Sequence, residues 1–414
     1  MCAVVPDGEP VPASGLLPEG VRAGAGGRPF GVYLHVPFCA TRCGYCDFNT
    51  YTAAELKGGV SRTTYAAQAL AELRLARQVL GSGAGPVQTV FVGGGTPTLL
   101  PPQELVGLLR AIDELFGLTP GAEVTTEANP DSVDAAALAT LREGGFTRLS
   151  LGMQSAAPGV LATLDRTHTP GRPAAAVAEA RAAGFEHVSL DLIYGTPGET
   201  AADWEDTLDA ALACDPDHIS AYGLIVEPGT RLAAQVRRGE LPAPDEDTMA
   251  ARYARTDERL AAAGLRWYEV CNWARPQPGA PEAPGPAACR HNLGYWDGGD
   301  WWGIGPGAHS HVGGVRWWNV LHPSAHAARL QAGRSPALGR EVLTAEEQRF
   351  EAIMLTSRLH TGTDVALLSP AARGEADRLA ADGLLDPAAL AAGRVVLTLE
   401  GRQKADLVVR ELTD

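Results

Sequence analysis

The sequence predicts an α/β fold: six βα-type units in an incomplete barrel or an open parallel sheet, followed by a small C-terminal module of helices and a strand. Three observations predict it. Short β-like runs alternate with apolar residues at helical spacing from residue 31 to about 224. Residues with unusual chemistry fall directly after those runs, where parallel strands place their C-terminal loops. The chain of 414 residues is long enough for one large α/β domain and an appendage, so its core needs no disulfide framework.

Residues 1–28 are cut up by proline and glycine and lack the continuous apolar core of an export signal, so a disordered N-terminal segment is expected there. Strands are expected at 31–36, 89–92, 123–126, 148–151, 187–192 and 218–224, and helices at 63–80, 102–116, 134–143, 172–183 and 201–213. Beyond residue 245, a helical run to 263 and a short strand around 267–270 precede residues 274–288. That stretch is mostly proline, glycine and alanine and reads as a mobile surface loop. The expected boundaries are therefore 29–270 for the α/β body, 271–343 for a loop-rich extension and 344–414 for the C-terminal module. Helices at 345–359, 370–382 and 402–412 with a strand at 394–399 resemble a small winged-helix domain. In an acidic chain such a module suits partner docking better than DNA binding.

Lysine and arginine number 34 against 49 acidic residues, a net charge of −15. That balance excludes a generic binder of nucleic acid or of anionic membranes, which needs a basic footprint. Lys57 and Lys404 are the only lysines; the arginines follow a compositional bias and carry no functional weight as a class. No apolar run approaches the roughly 18 residues of a membrane span, and a cytoplasmic location is expected. In that compartment the seven cysteines are better explained by metal binding, catalysis or burial than by disulfides.

Three of them, Cys39, Cys43 and Cys46, lie within eight residues directly after the first expected strand. Three thiolates spaced this way can converge on one iron–sulfur cluster from a single loop. The fourth iron then has either a distant ligand, with Cys271 or Cys289 as candidates, or an open position. Structural zinc normally pairs Cys-x-x-Cys with a second such pair, which is missing here. The second strand runs into Gly93-Gly94-Gly95-Thr96-Pro97-Thr98, the third into Glu127-Ala128-Asn129-Pro130, and the fourth into Gly152-Met153-Gln154-Ser155. The glycine run is neither a Walker loop nor a dinucleotide fingerprint, and on its own suits a tight βα turn.

The Cys-x₃-Cys-x₂-Cys loop resembles the signature of radical S-adenosylmethionine (SAM) enzymes. The residues before it, Tyr33-Leu34-His35-Val36-Pro37-Phe38-Cys39, resemble the coproporphyrinogen dehydrogenase branch. The resemblance implies an incomplete (β/α)6 TIM-type barrel and a [4Fe–4S] cluster on Cys39, Cys43 and Cys46, with SAM on the open iron. It also implies SAM contacts from Tyr33, Gly93, Gly94, Gly95, Thr96, Glu127, Gln154, Arg166 and Asp191, with Glu127 on the ribose hydroxyls. The residues themselves leave a solvated strand-end carboxylate open for Glu127, and an ion pair with an acid open for Arg166.

Two features divide the branch. The decarboxylating dehydrogenase carries a further cysteine two residues after the third, where this chain has Phe48. His291-Asn292-Leu293-Gly294-Tyr295-Trp296 matches the His-Asn-x-x-Tyr-Trp motif of HemW-type haem chaperones, in which the histidine is associated with haem. Imidazole is a common axial ligand of haem iron, although a histidine among aromatics also serves as a hydrogen-bonded packing residue. Cys289, His309 and His311 are rival ligands, and Trp301, Trp302, Trp317 and Trp318 suit a core or an interface. The resemblance therefore implies a haem chaperone that binds a cluster, SAM and haem and passes haem to an acceptor protein, without nucleic acid. A membrane-associated acceptor and a homodimer are both compatible with it. The alternative is an oxygen-independent coproporphyrinogen III dehydrogenase.

Overall fold

The computed structural model describes residues 7–56, 61–81 and 84–413. After a short β1 (Glu9–Pro10) come β2 (Phe30–Val36), β3 (Val87–Gly94), β4 (Leu118–Ala128), β5 (Arg148–Gln154), β6 (His187–Tyr194) and β7 (His218–Gly223). These six, β2 to β7, pair in chain order and in parallel. All seven residues of β2 are buried, as expected of a parallel strand covered on both faces. The outer layer consists of helices Arg62–Leu80, Pro102–Phe116, Ala135–Glu143, Arg172–Ala182 and Ala201–Ala213, each within one or two residues of its expected bounds. Helix Pro102–Phe116 shows why such segments fold: Leu105, Leu108, Leu109 and Ile112 recur on one face and are all buried, each contributing roughly 1.5–3 kcal/mol. The next helix starts where the Asp134 carboxylate accepts from the Ala137 amide at 2.8 Å.

The barrel is incomplete because β2 and β7 do not meet. β7 pairs antiparallel with β9 (Asn272–Ala274), which pairs with β8 (Arg266–Glu269). On the other side β2 pairs in parallel with β12 (Asp300–Ile304). The sheet then continues antiparallel through β13 (His309–Val312), β14 (Val315–Asn319) and β15 (Ala337–Val342) to β1, giving 13 strands among the described residues.

Residues 271–343 are thus not a loop-rich extension: they supply five strands of the main sheet. Gly313 and Gly314, with φ of 60° and 82°, form the two-residue turn between β13 and β14, a conformation glycine adopts without strain. Trp302, Trp317 and Trp318 are buried in this sheet. The Pro/Gly/Ala stretch expected as a loop contains a hairpin, β10 (Pro276–Gln277) with β11 (Ala280–Pro284).

Within the N-terminal segment, residues 7–28 are ordered on the sheet edge, where disorder was expected; Met1 to Pro6 lie outside the described residues. Glu9 pairs with Arg340 across β1 and β15, and the Asp300 carboxylate takes the Gly24 amide at 2.7 Å and the Arg28 guanidinium at 3.3 Å.

The C-terminal module has its own core around Ile353, Leu379, Leu385 and Val408. It comprises helices Ala345–Thr356, Pro370–Ala381, Pro387–Ala391, Leu399–Gln403 and Ala405–Thr413 and the pair β16 (Thr363–Asp364) and β17 (Arg394–Val395). The expected strand at 394–399 is two residues long, and the expected last helix breaks at Lys404. No helix among the described residues is long and apolar enough to cross a membrane.

Candidate functional site

Alternation along the central strands builds one cavity of about 820 Å³ inside the barrel. Arg148, Ser150, Gly152 and Gln154 of β5 line it, while Leu149 and Leu151 face the outer core. Thr125 and Glu127 of β4, Ser189 and Asp191 of β6, and His218 and Ser220 of β7 follow the same period of two. Polar residues at every second position of otherwise apolar strands are the signal that marks this interior.

The mouth carries the cysteine loop. Cys39, Cys43 and Cys46 are free, partly buried, and line the same cavity. Their loop is fixed by its backbone: the Cys39 amide donates to Tyr51 O at 3.0 Å, Cys46 to Cys43 O at 3.2 Å, and Gly44 to Leu164 O at 3.1 Å. The Asn49 amide group reaches Pro306 O and Leu321 O, both at 2.9 Å, which ties the loop to the added strands. His35 supports it from below. Burial lowers its pKa to about 4, so the ring is neutral; Nε2 donates to Asn49 O at 2.9 Å and Nδ1 accepts from the Tyr33 hydroxyl at 3.0 Å.

Burial pushes the Cys46 thiol up to about 11, with the neighbouring Cys39 and Cys43 adding to the shift. Among the described residues no three His, Cys, Asp or Glu side chains stand together at metal-holding distance. The donor set nonetheless fits an iron–sulfur cluster: three thiols on one pinned loop face one cavity, and Arg166 Nη1 lies 3.6 Å from Cys43 Sγ. Of the two proposed distant cysteines, Cys289 lines the same cavity but at the start of the motif helix, away from the cysteine loop, and Cys271 does not line it. Cys289 is buried with its thiol 3.6 Å from Glu123, and Cys271 lies beside Glu269.

The glycine run is pressed against that loop. A Cβ on Gly95 would stand 2.4 Å from Phe38 O and 3.0 Å from Cys39 Sγ, so only glycine fits. The Gly95 and Thr96 amides donate to Val36 O and Phe38 O at 2.8 and 2.7 Å. Gly94, at φ 110°, donates to Glu127 Oε2 at 3.1 Å. Gly93 packs against Phe91 and Glu127 and, alone among the expected SAM contacts, does not line the cavity. Burial raises the Glu127 pKa to about 8, with Asp191 as a second cause; the partly buried carboxylate lines the cavity beside the glycine run.

Asp191 accepts from the Ser150 hydroxyl at 2.9 Å, and burial raises its pKa as well. Gln154 is buried in the left-handed region, φ 65°, and its Oε1 has no partner. Among the described residues Arg166 makes no ion pair: Nη2 donates to Gly152 O at 2.7 Å, bridging β5 to the cysteine loop, and Nε is unpartnered. Thr125 and His168 also present unpartnered buried polar atoms among the lining residues. Such a set is costly in a protein interior unless a polar ligand completes it.

The His-Asn-x-x-Tyr-Trp motif closes the opposite end. It forms helix Arg290–Trp296, whose first amides, Arg290 and His291, donate to the buried Glu123 carboxylate at 3.0 and 2.9 Å. His291 fits over Gly31, where a Cβ would come within 3.1 Å of its ring, and stacks on Phe91 at 5.4 Å. Both its nitrogens are taken: Nδ1 by Thr89 Oγ1 and Nε2 by the Tyr295 hydroxyl, each at 2.8 Å. Burial lowers its pKa to about 3, so the ring is neutral. His309 and His311 do not line the cavity. Sequence reasoning missed Arg148 and Glu123, although a charged residue at an inward strand position was a readable signal.

Comparison with known proteins follows the same lines. The model of the radical SAM superfamily matches residues 33–211. The heme chaperone HemW of Mycobacterium tuberculosis is 54% identical over 403 residues, covering 97% of this chain and 98% of that protein. That of Bacillus subtilis is 34% identical, covering 80% and 83%. Among solved structures, coproporphyrinogen III oxidase (HemN) from Escherichia coli superposes with a TM-score of 0.76 at 23% identity over 93% of this chain and 89% of that one, a likeness of fold.

Proposed function

The chain belongs to the HemW family within the radical SAM superfamily, and from that membership we propose that it is a haem chaperone that binds a [4Fe–4S] cluster, SAM and haem and delivers haem to an acceptor protein. The observation that carries this reading is 54% identity along nearly the whole of both chains with a heme chaperone. A cytoplasmic location accompanies it.

Cys39, Cys43 and Cys46 would hold the cluster, which when bound supplies an electron and an open iron position for SAM. The chain's residues prepare the rest of the cavity. Glu127 and Asp191 offer acceptors, Gln154 and Arg166 hold unpartnered polar atoms, and Gly94 and Gly95 let backbone approach where a side chain would block. At the far end Arg148 and His291 are both buried.

His291 can ligate haem iron only by releasing the Tyr295 hydroxyl or Thr89, because neither nitrogen has a free lone pair. If it does ligate, Tyr295→Phe tightens haem binding by freeing Nε2, and His291→Ala loses or shifts the Soret band while SAM binding persists. Equal spectra for both variants and wild type return His291 to packing. The second reading, coproporphyrinogen III dehydrogenase, lacks the further cysteine where Phe48 stands. Reconstituted protein held anaerobically with SAM and reductant tests both at once. Haem binding without coproporphyrinogen turnover is the expected result; turnover without haem binding overturns it.

A further inference from the structure

The cavity has two chemically distinct ends. Cysteine thiols occupy the mouth, and at the far end, six residues down β5 from Gln154 and so about 20 Å away, stands Arg148. The residue is 1% exposed. Among the described residues its one hydrogen bond is from Nη1 to Ala287 O at 2.5 Å; Nη2 has no partner and no carboxylate pairs with it. A guanidinium stays charged at any working pH. Leaving it unpaired in a low-dielectric interior is costly, so the site is incomplete as a protein structure.

Its surroundings say what completes it. The polar neighbours are mostly satisfied among themselves: Asp191 by Ser150, and His218 by Ser189 and Tyr268. Burial, and then the charge of Arg148, push the His218 pKa well below the usual imidazole range. At this end of the chamber Arg148 is the fixed cation, since the other lining guanidinium, Arg166, stands beside Cys43 at the mouth. A single carboxylate matches both the charge and the planar fork of a guanidinium.

We propose that Arg148 forms a carboxylate-binding subsite at the floor of the barrel, serving a second ligand that shares the cavity with SAM. The inference rests on the proposed haem chaperone function for the identity of that ligand, since haem carries two propionates. The other available carboxylate, on the methionine part of SAM, belongs by its expected cluster contact to the opposite end.

Reconstituted full-length protein is titrated with haem and with haem dimethyl ester, and separately with SAM and decarboxylated SAM. Wild type is expected to prefer haem to its ester by roughly tenfold or more, as for a charge-assisted pair. Arg148→Met abolishes the preference, Arg148→Lys restores part of it, and cluster absorbance stays unchanged. A preference lost in the SAM arm alone assigns the subsite to the methionine carboxylate and overturns the second-ligand assignment. Wild type that binds haem and its dimethyl ester equally overturns the proposal without reference to any variant, so a misfolded Arg148→Met does not protect it. Failure of wild type to bind either form of haem refutes the chaperone reading, and with it the propionate as the ligand of Arg148.

Discussion

Single residues set the chemistry of the cavity. Replacing Cys39, Cys43 or Cys46 with Ala is expected to remove most iron, sulfide and absorbance near about 400 nm from reconstituted protein, whereas Cys289→Ala retains them. Cys289 is held by Glu123 in the barrel wall, so equal iron loss from that variant would refute the three-cysteine site. Glu127→Ala should weaken SAM binding by about 1.5–3 kcal/mol with cluster content unchanged, read by titration. Glu269 offers a pH test away from the cluster. Burial raises its pKa to about 7 from the ordinary 4.5, its Oε2 has no partner, and its Oε1 accepts from Asn292 at 3.0 Å. Its folded pKa lies above the unfolded one, so its stabilising effect is complete below about pH 4.5 and is lost as pH rises through about 7. Glu269→Gln is expected to flatten the fall in unfolding free energy across that window by up to about 3 kcal/mol. A pH profile unchanged in denaturant melts would show that Glu269 does not titrate there.

At the scale of elements, the motif helix is the part whose position is least determined by its own sequence. Seven residues are too few for a stable isolated helix. Its start is supplied by Glu123, a carboxylate 167 positions before Arg290 that takes two backbone amides. Glu123→Ala should lower stability by about 3 kcal/mol in denaturant unfolding, since two charge-assisted bonds disappear inside the barrel. The same variant should disturb haem binding more than SAM binding, because SAM contacts are expected at the other end. Stability and haem affinity equal to wild type would show that the helix needs no such anchor.

Two polar joints, one buried and one part-buried, hold the molecule together as a whole. Glu72 on helix Arg62–Leu80 accepts from Gly305 N at 2.7 Å, Asn319 Nδ2 at 2.6 Å and His326 Nε2 at 2.8 Å, locking β12 and β14 to the barrel. Arg402 joins the C-terminal module to the barrel through two bonds to Asp257, 2.9 and 3.0 Å, and lies 4.4 Å over the Trp267 ring. Arg402→Ala should weaken that junction by about 2 kcal/mol, between the limits for exposed and buried pairs. Faster limited proteolysis around residues 343–345 with SAM affinity retained is the expected outcome. Cleavage at the wild-type rate would mean that the module docks by its apolar contacts alone.

The sequence by itself determined the six βα units, the helices between them and the strand ends and loops where most of the expected SAM contacts fall. Those features are local: a period of 3.6, a period of two, and glycine where backbone must pass a neighbour. The three cysteines were legible for the same reason, being eight residues of one loop. Only the tertiary structure decided the rest. Residues 7–28 look unstructured in isolation, yet Glu9 and Pro10 find a ladder on β15, more than 300 positions away. Short strands rich in tryptophan and glycine at 300–342 acquire their identity from the edge of β2, not from their own periodicity. Arginine at 148 reads in sequence as one more member of a compositional bias. It becomes a buried, half-paired cation because β5 turns that position inward and, among the described residues, no acid from any other element forms an ion pair with it. His291 gains two hydrogen-bond partners, Thr89 from β3 and Tyr295 from one helical turn away, and the first of these is set by the distance between strands rather than by any spacing along the chain.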